Sequence, residues 1–222
     1  MRLRRRREAA SSEPGAAAPD AGIGGAEEGD EESGPTTGPF DVADVDLDDE
    51  AVQRLDVGSL LLDPGEGRQV QLQVDERTQV VQAVLVAGQD GALELRAFAA
   101  PVGESQWEEM RAALAAEAQR RGGKVGQREG RWGTELLTRT PVTMADGTAG
   151  TQPARSLGIA GPRWLLRATF YGRPAVAEQD GAAWEEVLAS VVVRRGEQAM
   201  PPGEPLPLTL PPQARRASAD PG

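Results

Sequence analysis

The sequence predicts an α+β domain: a mainly antiparallel sheet of about six to seven strands with two amphipathic helices packed on it, preceded by a disordered acidic leader. Three observations carry this expectation. Seven short segments between residues 69 and 171 favour strands, most of them with apolar and polar side chains in alternation, the period of two of a strand whose faces differ. Gly, Pro and Asp separate neighbouring segments by a few residues, which favours hairpins and antiparallel pairing. Two longer segments repeat their apolar residues at helical spacing.

Residues 8–39 are rich in Gly, Ala, Pro, Ser and Glu and hold almost no large apolar side chain. Such a stretch cannot bury enough surface to offset the entropy of ordering. The chain therefore divides into a leader over 1–37, one domain over 38–200 and a Pro-rich tail over 201–222. In 41–49, Asp44, Asp46 and Asp48 alternate with Val45 and Leu47. A calcium loop would need a turn Gly and a terminal Glu at offsets where this segment has neither. An acidic, apolar segment that docks along the domain or into a partner is the better reading.

Within the domain, 69–75 (QVQLQVD) alternates strictly, and 79–87 carries Val80, Val81, Val84, Leu85 and Val86 on both faces. Asp90 and Gly91 suit a turn before a third strand over 92–99. A helix over 105–121 would start at Ser105 as N-cap with Glu108 closing a capping box, and would bury Trp107, Met110, Leu114 and Ala118. Strands follow over 124–129 and 133–142. The segment 151–172 then reads as the central hairpin, with Ala160, Gly161 and Pro162 as its turn and Trp164, Leu166, Ala168 and Phe170 on the buried face of its second strand. A second helix over 181–193, capped by Asp180, would bury Trp184, Val187, Leu188 and Val191. The tail from Met200 favours extended, polyproline-like backbone, lying along the domain or serving as a docking peptide.

Composition excludes much chemistry. The 222 residues include no His and no Cys. Serine–histidine and cysteine–histidine catalysis, disulfides and thiolate metal sites are therefore impossible within this chain. The one lysine, Lys124, follows two glycines and reads as a solvated loop residue. Residues 1–50 hold five Arg and fourteen Asp or Glu, so most of the net charge of −11 lies in the first fifty residues. A nucleic-acid-binding domain shows the reverse, a basic face, so DNA and RNA are not expected partners. The Arg4–Arg7 tip reads as a solvated run. No apolar stretch has the length of a signal peptide or of a membrane span, and the expected location is the cytoplasm.

The most site-like cluster is Arg155, Arg163 and Arg167 on or near one side of the central hairpin, with Trp164 or Trp132 as an apolar wall. Arginine forks match carboxylate and phosphate geometry. The competing reading pairs these arginines with Glu94, Glu129 or Glu135 across the sheet. No catalytic residue, cofactor or metal ligand is assigned. An enzyme here would need carboxylates, a lysine or a bound cofactor; paired carboxylates, for example Glu108, Glu109, Glu185 or Glu186, sit on helix faces where solvation is the ordinary explanation.

Several strings in this chain, GPFDVADVDLDDEAVQRLDVGSLLL, QVDE, AFAAP, TQPAR, GPRWLLR and PLPLTLPP, together resemble the actinobacterial family catalogued as domain of unknown function 3710, over roughly 38–212. The resemblance implies a cytoplasmic actinobacterial protein with no catalytic residues to carry over. The element order, β-β-β-α-β-β-β-β-α, is similar to the Mog1/PsbP-like fold, which carries little functional information. The expected function is a non-enzymatic protein-interaction module whose flanking segments meet a protein partner. A small-molecule or anion-binding domain using the arginines is the alternative, and a carboxylate enzyme the third.

Overall fold

The computed structural model of the chain describes residues 38–47, 53–102, 106–144 and 146–209. The expected disordered leader, Asp48, Ser105 and the tail from 210 lie outside the described residues. In chain order the elements are β1 (Phe40–Asp41), β2 (Leu55–Asp56), β3 (Leu60–Leu62), β4 (Gln69–Val74), β5 (Val81–Ala87), β6 (Gly91–Ala99), α1 (Trp107–Arg120), β7 (Lys124–Gly130), β8 (Gly133–Thr143), β9 (Ala149–Gly161), β10 (Trp164–Gly172), α2 (Glu178–Ala189) and β11 (Val192–Val193). The fold is α+β, as the sequence predicts.

Strands β4 to β10 form one antiparallel sheet in the order β4-β5-β6-β10-β9-β8-β7. Two meanders lie side by side in it, β4-β5-β6 and β7-β8-β9-β10, joined through α1. The join makes β10 the middle strand, hydrogen-bonded to β6 and β9 along its length. That position suits its sequence, WLLRATFYG, which buries apolar groups on both sides.

On the first face, Trp164, Leu166, Ala168 and Phe170 of β10 meet Leu93 and Leu95 of β6, Val84 and Val86 of β5, and Trp184 and Leu188 of α2. On the second face, Leu165 packs with Leu136 of β8 and Trp107 of α1. Two glycines of β9 receive the two tryptophans. A Cβ on Gly158 would lie 2.5 Å from the Trp107 ring, and one on Gly161 would lie 2.1 Å from the Trp164 ring. Trp107 also donates its indole N–H to the Thr134 carbonyl at 2.7 Å, and Trp164 donates to Asp41 at 2.6 Å. Buried indole N–H groups need such acceptors.

A second, four-stranded sheet, ordered β1-β11-β3-β2, closes the first-face core. Its only parallel pair is β1 with β11. The Pro-rich segment also joins the domain. Leu206 N–H donates to Ala97 O at 2.8 Å, Ala99 N–H to Glu204 O at 2.8 Å and Thr209 N–H to Val57 O at 2.9 Å, and the Leu206 side chain is buried. Residues up to 209 thus pack past the boundary drawn at 200.

Three expectations need correction. The second helix spans Glu178–Ala189 rather than 181–193, with Ala177 at its N-cap, so Asp180 lies inside it. Val192 and Val193 leave the helix to pair with Leu61 and Leu60, a role that β-branched side chains suit. Val80 is 57% exposed rather than inward. Gln79 takes a φ of +58 and Asp75 N–H donates to Val80 O, so Val80 belongs to the turn. That turn is held by Asp75, which accepts from the Thr78 N–H and hydroxyl and whose carboxyl these bonds keep below its ordinary pKa. The N-cap of α1 is Gln106, which makes no side-chain cap bond. Its first turn carries Glu108 and Glu109, whose charge suits a helix start.

The Trp107 contact gives a first prediction. Gly158→Ala should destabilise the protein by about 1–3 kcal/mol, the usual cost of overpacking a tight contact. Denaturant unfolding followed by tryptophan fluorescence checks this, and an unchanged midpoint would contradict it.

Candidate functional site

The hairpin between β9 and β10 turns on two residues, Pro162 and Arg163, with Gly161 opposite Trp164. This register sets Arg155 opposite Phe170, on the first face, and leaves Arg167 opposite Gly158 on the second. Arg163 stands in the exposed turn with a φ of +62. The three arginines of the expected cluster therefore point to three different places. Trp164 is sealed in the first-face core. Trp132 is half-buried, donating to Gly38 O at 3.0 Å beneath the Arg131 guanidinium, 4.8 Å away. Neither tryptophan walls a pocket with Arg167.

Arg155 is an interior residue, with 1% of its side chain exposed. Its Nη1 lies 3.1 Å from Glu135 and 2.7 Å from Glu185, and its guanidinium sits 4.2 Å from the Phe170 ring centre. Glu135 is equally buried and also accepts from Arg128 Nε at 2.7 Å. The charges alternate along Arg128, Glu135, Arg155 and Glu185, linking β7, β8, β9 and α2. The centre of this arrangement, Arg155 with Glu135, is closed to a ligand, and only the two ends, Arg128 and Glu185, reach solvent.

Arg167 sits differently. It lines a groove of about 570 Å³ on the second face, between α1 and strands β8 to β10. Leu114 and Ala118 of α1 form an apolar wall. The floor presents the hydroxyls of Thr138, Thr140, Ser156, Thr169 and Tyr171. Ser156 and Thr169 are hydrogen-bonded to each other at 3.0 Å. On the wall, the Glu117 carboxylate is engaged by Arg120, and by Arg121 at 3.0 Å, which holds its pKa below the ordinary value.

At the inner end, Glu94 of β6 collects three partners. Arg167 Nη2 donates to it at 2.8 Å, Arg96 Nε lies 3.2 Å away without hydrogen-bond alignment, and the Tyr171 hydroxyl donates across a long 3.4 Å. Only 10% of the Glu94 side chain and 13% of the Arg167 side chain are exposed. Burial pulls the Arg167 pKa down, opposed by the charge of Glu94. Burial first, and then Glu94, push the Tyr171 phenol up to about 12. Tyr171 is therefore neutral at physiological pH. Two guanidiniums share one carboxylate, so the trio keeps one unbalanced positive charge beside the groove.

Sequence reasoning reached Arg167 and named Glu94 as a possible partner, but missed Arg96 and Tyr171. The signal was present in LELRAF, where Glu94 and Arg96 alternate with core leucines in a strand too apolar for a fully wet face. Using it requires knowing that β6 pairs with β10. Among the described residues no group of three or more acidic side chains could hold a metal ion. Glu185 and Glu186 are paired, with Arg155 and with Arg131 at 2.9 Å. No helix among the described residues is long and apolar enough to cross a membrane.

Fold and groove together define an α+β domain with a seven-stranded antiparallel sheet and a hydroxyl-lined cleft beside its first helix. The chain belongs to the family described as "Protein of unknown function (DUF3710)", whose profile matches residues 38–217. No curated protein matches it. Among solved structures, one of a protein from Bacteroides thetaiotaomicron VPI-5482 is similar over 64% of this chain and 48% of its own, at 13% identity and a TM-score of 0.38. This chain thus spans about half of that one.

Two predictions follow from the charges. This chain has a single tyrosine, so absorbance near 295 nm reports Tyr171 alone. Its titration midpoint should fall near pH 12, about two units above the ordinary phenol. Because the folded pKa is the higher one, its contribution to stability is complete below about pH 10 and is lost as the pH rises towards 12. A midpoint near 10 would mean that the phenol is solvated. Arg155→Ala, which opens a cavity and leaves the buried Glu135 with Arg128 as its remaining partner, should cost about 3–5 kcal/mol, and Arg155→Met with Glu135→Gln, which refills the volume and removes the buried carboxylate, should cost less. Equal losses in thermal or chemical unfolding would contradict this.

Proposed function

We propose that this member of the DUF3710 family is a small-molecule-binding protein of the cytoplasm that takes an organic anion in the groove beside α1. The observation that carries the reading is the shared carboxylate: among the described residues, Arg167 and Arg96 have only Glu94 between them. A guanidinium left partly unmatched in a half-buried cleft favours a carboxylate or phosphate that can accept its remaining N–H groups. The hydroxyls of Thr138, Ser156 and Thr169 supply further polar contacts, and Leu114 and Ala118 suit a short apolar body. The cleft volume is within the range of small-ligand sites, roughly 300–1,000 Å³.

The protein-interaction reading draws on the flanking segments. Residues 201–209 run along this domain's own backbone, which weighs against them as a free docking peptide. The groove is thus the better supported choice.

A thermal-shift series on the full chain tests it, with inorganic phosphate, succinate, benzoate and adenosine monophosphate as probes. A ligand at 100 times its Kd stabilises by roughly 2.7 kcal/mol, or several degrees for a domain of this size. We expect at least one probe to raise the midpoint for the wild type and for Arg77→Gln, which lies in the β4–β5 turn, but not for Arg167→Gln. No shift with any probe, or a shift that Arg167→Gln preserves, would overturn the assignment.

A further inference from the structure

The large sheet ends in two unlike strands. β7, KVGQREG, carries Lys124, Arg128 and Glu129 and two glycines. Charges and glycines of this kind discourage pairing with another chain. β4, QVQLQV, has no charged residue, no glycine and no proline. Its partner is β5 on one side. Among the described residues no backbone hydrogen bond joins 69–74 to any other element, so its outer N–H and C=O groups line an open edge about 20 Å long. At the turn end of that edge, Val74 and Val80 are 41% and 57% exposed. Val74 thus exposes an apolar side chain on the edge strand itself, and Val80 one in the adjoining turn.

From this juxtaposition we propose that β4 pairs antiparallel with β4 of a second copy, joining the two seven-stranded sheets across a two-fold axis. The strand is self-complementary in the way such an interface requires, each patch meeting itself. With the axis through Leu72, Val70 stands opposite Val74, Leu72 opposite Leu72 and Gln71 opposite Gln73. Apolar residues stay on the core side and glutamines on the other, and no like charges face each other. A heterologous partner would be expected to find charges to read, and β4 offers none. The second copy extends the apolar contact by covering Val74. A six-residue edge is small for a specific interface, which typically buries about 1,200–2,000 Å², so the dimer is concentration-dependent. The groove beside α1 lies on other strands, and ligand binding there does not depend on this pairing.

Sedimentation velocity of the full chain from 1 to 200 μM reads the result. The weight-average mass should rise from one chain towards two. Gln71→Lys with Gln73→Lys sets lysines against lysines across the axis and should raise the dimer Kd at least tenfold, with circular dichroism unchanged. Lys124→Gln on β7 should leave the wild-type behaviour intact. If the double lysine variant fails to fold, Val74→Lys at the exposed end of the strand replaces it. A mass of one chain throughout the range would overturn the proposal, as would an unaltered dimer in the folded lysine variant.

Discussion

Arg155 stands inside the sheet between two glutamates, and much of the domain's order depends on how that charge is met. A guanidinium with 1% of its side chain exposed is tolerable only where anionic acceptors are fixed around it. Glu135 comes from β8 and Glu185 from α2, so helix and sheet cannot separate without stranding a buried charge. Gly130 keeps the space: a Cβ there would lie 2.3 Å from the Glu135 carboxylate. Apolar packing supplies the larger share of the stability, since Trp164, Phe170, Leu93, Leu95 and Trp184 fill the same face. What the ion network adds is uniqueness of docking for α2, because a sliding helix would break it.

The second face is organised on the opposite plan. α1 covers β7, β8 and β9 and anchors itself through Trp107 over Gly158. Beyond it, β10 and β6 carry polar side chains that no helix covers. The groove is therefore a by-product of unequal coverage: one helix for seven strands. Its polar character follows from the second-face residues of β8, β9 and β10 together; in β10 the alternation sends Trp164, Leu166, Ala168 and Phe170 one way and Arg167, Thr169 and Tyr171 the other.

Strands β4 to β10 could be read from sequence because each has a period of two or a continuous apolar run long enough to outweigh noise, and turns at Asp90 and Pro162 mark their ends. The small sheet could not. Its strands are two or three residues long, too short for any period, and β11 pairs with β1 and β3 across more than a hundred residues. Val192 and Val193 were drawn into a helical stripe because Val191 continues the spacing of Trp184, Val187 and Leu188. The arginine cluster failed for a sharper reason. A three-residue turn at Ala160, Gly161 and Pro162 would set Arg155 opposite Arg167, whereas the observed two-residue turn sets it opposite Phe170. A one-residue error in a hairpin moves a side chain to the other face. Arg167 kept its place because its own strand, not the register, determines it.

The small sheet has a consequence for synthesis on the ribosome. Its strands come from both ends of the domain: Phe40, Leu55 and Leu60 are made early, while Val192 and the segment through Leu206 are made late. Most of the large sheet can pair as it emerges, yet Leu60, Leu62 and Ala97 keep a wet flank until the last core residue has cleared the exit tunnel. The nascent chain must then hold an unsealed apolar surface until the segment through Leu206 has emerged, so closure of the core waits on residues made well after the large sheet.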